Sequence, residues 1–182
     1  MRNKPLILAT ETIARSRLFR VDQVTLRFSN GVQVDYERLA PTSLGAVLVV
    51  PMLDQETMLL VREYAAGTDR YELGFPKGRV EHGEEAIEAA NRELMEEVGY
   101  GARRFDTLRR MTVAPGYLGH TTTILLARDL YARRIPGDEP EEIEVVPWSI
   151  RRIDALLDQE DLTEARSIAA LFLTREWLER GK

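Results

Sequence analysis

The sequence contains no cysteine, which excludes disulfides, thiolate zinc sites and cysteine nucleophiles together. Histidine is nearly as scarce. Only His82 and His120 occur, so histidine-rich metal centres are excluded, and neither stands near a nucleophile-elbow serine that would build a hydrolytic triad. No run approaches the ~20 consecutive apolar residues of a membrane span, and the first residues lack a signal-type apolar region. A cytoplasmic location is the expectation. Positive charge is also in deficit: 25 Lys and Arg against 30 Asp and Glu leave a net charge of -5. With no basic run to supply a local patch, nucleic acid and anionic membrane are not expected partners. The 182 residues that remain suit one domain with a small extension and a full core.

The most informative stretch runs from Gly78 to Tyr100, GRVEHGEEAIEAANRELMEEVGY. Gly78 to Gly83 reads as a loop, a helix begins near Glu84, and Gly99 stands where a left-handed glycine would end it. At ~100° per residue, Ile87, Ala90, Leu94 and Val98 form one apolar stripe. Glu93 and Glu97 lie together at its border, and Glu96 lies on the adjoining arc. Carboxylates four apart repel by a few tenths of a kcal/mol in water and by more when half buried. A divalent cation removes that repulsion, and oxygen donors of this kind suit Mg²⁺ or Mn²⁺. The plainer reading is a solvated, charge-rich helix with ordinary ion pairs Glu88–Arg92 and Arg92–Glu96.

The spacing Gly78, Glu84, Arg92-Glu93-Leu94, Glu96-Glu97, Gly99 resembles the signature box of the Nudix hydrolases, which cleave nucleoside diphosphates linked to another group. Tyr100 stands where that family usually has an aliphatic residue. The likeness extends over almost the whole chain and is to the ADP-ribose pyrophosphatase branch, with most in common with bacterial ADP-compounds hydrolases. It is carried by the Arg38 region, Leu60-Val61-Arg62-Glu63-Tyr64, Tyr71-Glu72-Leu73-Gly74-Phe75, Pro115 and Asp138-Glu139-Pro140-Glu141-Glu142-Ile143. A proline at the offset of Pro115 is a mark of ADP-ribose-type substrates in the family.

The resemblance implies Mg²⁺-dependent hydrolysis of ADP-ribose and related ADP compounds. Glu93 and Glu97 match the main metal ligands, with Glu96, Glu141 and the Lys77 carbonyl as further ones. Glu139 matches the general base, Glu93 is the fallback, and Arg92 orients a neighbouring carboxylate. Arg38 and Arg62 match contacts to the diphosphate or ribose, and Glu72 one to the nucleoside. Ala65 replaces a second arginine often found in relatives, which bears on substrate choice. Rival readings are a Nudix enzyme for dinucleoside polyphosphates, NADH or nucleotide sugars, and a non-catalytic nucleotide-sensing module, which would be expected to lack some box acids.

Along the chain, Met1 to Ser16 gives no firm reading. Leu18–Phe28 and Val32–Arg38 alternate about Ser29-Asn30-Gly31 as a β-hairpin, and Pro41-Thr42-Ser43 breaks the pattern. Gly45–Pro51 is a continuous apolar run suited to a strand buried on both faces. Strands are expected at Met58–Glu63, Tyr71–Phe75, Phe105–Arg110, Thr121–Ala127 and Val145–Trp148. Helices are expected at Ile153–Leu157 and Thr163–Arg180, the latter turning Ile168, Leu171, Phe172 and Trp177 inward. Helices packed on a mixed sheet follow from this order, and the resemblance implies the α/β/α Nudix sandwich. The expected division is an N-terminal β extension over residues 1–40 and a Nudix domain over 41–182. A two-stranded ribbon must pair or be covered, and the resemblance implies that the extension does so in a homodimer.

Overall fold

Alternation in the first forty residues becomes three antiparallel strands, β1 (Leu6–Arg15), β2 (Arg20–Arg27) and β3 (Gln33–Leu39). The expected hairpin is β2–β3, and Gly31 at its turn has φ +85°. β1 is an additional strand. Its residues are exposed throughout, so it carries no inside-outside burial pattern, and its register on β2 shifts twice. The computed structural model describes residues 3–40, 45–138 and 140–181, so the expected break at Pro41-Thr42-Ser43 lies outside the described residues.

The main body contains β4 (Ala46–Pro51), β5 (Thr57–Ala65), β6 (Arg70–Gly74), β7 (Lys77–Arg79), α1 (Ala86–Glu93), β8 (Tyr100–Thr112), β9 (Thr121–Ala132), β10 (Glu144–Ser149), α2 (Ile153–Leu157) and α3 (Ala165–Glu179). One sheet has the order β7-β4-β9-β8, with β4 and β9 parallel and the other pairs antiparallel. The other is the antiparallel set β10-β5-β6. They meet through a Met52–Met58 bridge and a hydrogen bond from Val49 N to Pro76 O.

Period-two geometry explains why the central strands are apolar on both faces. From β4, Leu48 and Val50 enter a core shared with Ile153 and Leu156 of α2 and Leu171 of α3. Val47 and Val49 enter a second core with Ala89, Ala90, Leu94 and Val98. In β9, Ile124 and Leu126 join the first core, and Leu125 and Ala127 the second. Fully burying one such side chain stabilises by about 1.5–3 kcal/mol. Helices therefore flank a mixed sheet layer, as the apolar runs predict.

Two side chains depart from the helical wheels. Ile87 is 50% exposed, because the buried face of α1 is set by Ala89 and Ala90. Beyond Glu93 the chain widens into a π turn, Leu94–Val98, closed by a hydrogen bond from Gly99 N to Leu94 O, so a 3.6-residue wheel does not carry through. Phe172 is 40% exposed and lies under the Arg175 guanidinium. Three apolar residues in a row, Leu171-Phe172-Leu173, cannot all face one core, and Leu171 occupies it.

Gly99 ends the π turn at φ +81°, and a Cβ there would lie 3.1 Å from Arg134 Nε. Gly99→Ala is expected to lower the urea midpoint at unchanged m-value, by about 1–2 kcal/mol of stability. An unchanged midpoint would show that the left-handed turn is not required.

Candidate metal and hydrolytic site

β7 runs antiparallel to β4, and α1 packs over it. Between them lie two acids. Glu93 is 7% and Glu97 4% exposed. At Gly78 a Cβ would fall 1.9 Å from the Glu93 carboxylate, so only glycine lets that carboxylate rest on the β7 backbone. One residue earlier, Lys77 N donates to Glu97 Oε2 at 3.3 Å.

Arg92 ties the acids together. Its Nη1 pairs with Glu93 Oε1 at 2.7 Å and Glu96 Oε2 at 3.0 Å, while Nε and Nη2 hold the two oxygens of Glu84 at 3.0 and 3.1 Å. Nη2 also donates to the Arg79 carbonyl at 3.0 Å. A planar fork with five donors is suited to this, and a lysine is not. Glu88 is not Arg92's partner; its side chain accepts from Glu85 N at 2.9 Å at the start of α1, where free backbone N–H groups need acceptors. The Arg92–Glu96 pair forms as expected.

Negative charge is in excess. Glu63, Glu84, Glu93, Glu96 and Glu97 face Arg92 and Lys77, whose Nζ lies 3.3 Å from Glu63. Burial pushes the Glu97 carboxyl up to about 9; Lys77 opposes this, and Glu93 and Glu63 reinforce it. Glu84, hydrogen-bonded to Arg92, is held below the usual carboxylate range, and Arg92 is raised in turn by Glu84. Among the described residues no group of three or more His, Cys, Asp or Glu side chains forms a ready-made metal cage. Arg92 bonds one oxygen each of Glu93 and Glu96. A buried, oxygen-only, acid-rich donor set still fits a hard divalent cation that takes its remaining ligands from water and phosphate.

The other candidates spread over two regions. Arg62 on β5 pairs with Glu144 at 2.7 Å and Asp161 at 3.0 Å. Glu72 on β6 pairs with Arg70 at 2.8 Å and accepts from Thr163 Oγ1 at 2.8 Å. Glu141, in the acidic segment before β10, accepts from the Tyr71 hydroxyl at 2.6 Å. Glu139 lies outside the described residues. Arg38, on exposed β3, precedes Leu39, whose N donates to Tyr117 O at 2.8 Å and so joins the N-terminal sheet to the Pro115 loop. Sequence reasoning gave no role to Glu84, Glu63 or Tyr71. Glu84 stood in the spaced motif itself; for Tyr71 the available signal was its place opposite Tyr64 on paired strands.

The model of the NudE-type Nudix hydrolase N-terminal domain matches residues 5–38, and that of the NUDIX domain matches residues 42–171. The chain is 51% identical over 176 residues to ADP compounds hydrolase NudE of Escherichia coli (strain K12), covering 97% of this chain and 94% of that protein. It is 25% identical over 170 residues to ADP-ribose pyrophosphatase of Bacillus subtilis (strain 168), covering 90% and 91% respectively. A crystal structure of ADP compounds hydrolase superposes with a TM-score of 0.93 at 49% identity, covering all of this chain and 97% of that one.

The buried Glu97 gives a signed pH dependence. Its carboxyl is raised in the folded state, so its contribution to stability is present below the unfolded value of 4.5 and is lost as pH rises from there through about 9. In EDTA, the wild-type melting temperature is expected to fall between pH 5 and 8.5 relative to that of Glu97→Gln. Parallel curves for the two proteins would show that Glu97 is not the buried acid responsible.

Proposed function

The chain belongs to the Nudix hydrolase family, and from that premise we propose that it hydrolyses the diphosphate linkage of ADP-ribose and related ADP-containing compounds. AMP and a phosphorylated product, ribose 5-phosphate from ADP-ribose, would be released. The observation that carries this reading is the pair of buried acids, Glu93 laid on Gly78 and paired with Arg92, and Glu97 bonded to Lys77 N. Similarity over 97% of the chain to an ADP compounds hydrolase supports the substrate class.

Glu93, Glu96 and Glu97, with the Lys77 carbonyl and Glu141, would hold magnesium, or manganese in its place, which when bound supplies charge neutralisation and a more acidic water. Arg92 keeps the Glu93 and Glu96 carboxylates oriented while Glu84 neutralises its far edge. Glu139 is proposed to take the proton from the attacking water as its oxygen bonds to phosphorus and the bridging oxygen leaves with its electron pair; Glu93 is the alternative base. Arg38 and Arg62 are proposed to contact the diphosphate or ribose and Glu72 the nucleoside, with Arg62 and Glu72 exchanging part of their present ion pairs for substrate. Among the described residues no helix is long and apolar enough to cross a membrane, and a cytoplasmic enzyme is proposed.

Residues 1–40 are proposed as an extension that joins two copies, with 41–182 as the hydrolase domain. The N-terminal sheet leaves Leu6, Ile7, Ile13, Phe19 and Tyr36 at least 43% exposed, an apolar surface of the kind that a second copy covers.

Chromatography of reaction products should show AMP from ADP-ribose with Mg²⁺ and none with EDTA; absence of AMP from any ADP compound at saturating Mg²⁺ overturns the reading. Glu139→Gln is expected to lower kcat by about 10²–10⁴ with metal activation nearly unchanged, whereas Glu97→Gln should weaken Mg²⁺ activation and turnover together. Should Glu139→Gln keep wild-type kcat while Glu93→Gln abolishes it at unchanged Mg²⁺ dependence, the base is Glu93. Light scattering should give twice the 20.8 kDa chain mass at micromolar concentration, and a monomer mass there rejects the dimer.

A further inference from the structure

The segment between β9 and β10 concentrates Asp138, Glu141 and Glu142 just before Glu144, and its described residues, 133–138 and 140–143, form no helix or strand. Like charges so close together repel, and a chain without a ladder has few backbone bonds to oppose that. Its far end is nevertheless fixed. Ile143 is buried in the core beside Leu59 and Val61, and Glu144 sits opposite Arg62 in the β10–β5 register, paired with it at 2.7 Å. Upstream of that anchor, one hydrogen bond engages the acidic side chains of this segment among the described residues: the Tyr71 hydroxyl donates to Glu141 Oε1 at 2.6 Å.

Tyr71 is itself held in place. On the antiparallel pair β5–β6 it lies directly opposite Tyr64, and the rings meet edge to face with centroids 5.6 Å apart. Tyr64 in turn donates to Asp69 Oδ1 at 2.5 Å. Asp69 occupies a left-handed conformation, φ +54°, at the β5–β6 turn, where its N donates to Ala65 O at 2.9 Å. A non-glycine residue with positive φ is uncommon, and here the side chain it presents fixes a ring. The chain Asp69–Tyr64–Tyr71–Glu141 thus runs from a rigid turn to the acidic loop, and its bond to a carboxylate is of the stronger, charge-assisted kind. Tyr71 as a residue is 49% exposed, so its geometry comes from these contacts and not from burial.

We propose that Tyr71 is a positioning residue of the hydrolytic reaction, holding the Glu141 carboxylate beside the β5–β6 sheet. This rests on the proposed hydrolysis, since the loop's acids are the groups whose placement matters there. Tyr71→Phe keeps the ring and removes only the donor. The expected result is a kcat lowered roughly three- to tenfold at unchanged KM for ADP-ribose, the size of one ordinary net hydrogen bond. Amide hydrogen exchange in peptides covering Glu141–Ile143 should accelerate, while exchange in α1 does not change. In a Glu141→Ala background the same substitution should add no further loss of kcat and no further acceleration, because the partner is already gone. A wild-type enzyme inert towards every ADP compound overturns the hydrolysis and the positioning role together. If the wild type is active, then Tyr71→Phe with wild-type kcat and loop exchange, a raised kcat, or losses that multiply with Glu141→Ala overturn the positioning role alone. A raised KM in the Glu141→Ala background would instead make Tyr71 a substrate contact and overturn it too.

Discussion

Two carboxylates with almost no access to water, Glu93 and Glu97, are wedged between a helix and the backbone of a three-residue strand. Removing a charge from water costs several kcal/mol unless partners replace the lost hydration. Here several of the replacements are specific. Gly78 gives Glu93 a surface without a side chain, Lys77 N reaches Glu97, and Arg92 reaches Glu93 while holding Glu84 and Glu96. The arrangement is under-neutralised, and Glu97 is driven towards its protonated form by burial and by its acidic neighbours. A site built this way has charge to offer a cation, and the destabilisation it carries is localised where the chemistry is proposed to occur.

The fold serves that wedge. The apolar face of α1 and the π turn fasten the acids' own helix to the second core, and β4, buried on both faces, carries β7 on its edge. The π turn matters because it begins at Leu94, between Glu93 and the Glu96-Glu97 pair. An unbroken α-helix would set these acids at other angles than the widened turn does. Across the two abutting sheets, β5 and β6 present Arg62, Tyr71 and Glu72, and the acidic segment returns over them to enter β10. The helix-borne acids and Glu141 therefore come from separate segments, with β8 and β9 between them in the chain.

Much of this was legible from residue types and spacing. Arg92, Glu93, Glu96, Glu97 and Gly99 form a pattern whose geometry is local, because helical turns bring nearby offsets together, whereas Gly78 meets Glu93 across the β7–α1 packing. The structure brings the acids together and gives Gly99 its left-handed φ for that reason. The doubly buried β4 followed equally from six apolar residues in a row. What escaped was set by tertiary contact. β1 has no buried face to betray it, and Ile87 and Phe172 were misplaced because Ala89 and Ala90 set the buried face of α1 and an apolar triplet cannot all face one core. Arg62 meets Asp161, ninety-nine residues away, and Tyr71 meets Glu141, seventy residues away, pairings that no local spacing encodes.

Binding of Mn²⁺, followed by loss of the free-ion electron paramagnetic resonance signal, tests most directly whether the Gly78 cradle and its acids form a metal site. The comparison is between the wild type and Gly78→Ala, whose Cβ has no room beside Glu93. Affinity should drop by roughly tenfold or more in the variant, as it does when the support of a metal ligand is disturbed. Equal affinity in a variant whose urea transition confirms a folded protein would contradict a metal site centred on Glu93 and Glu97.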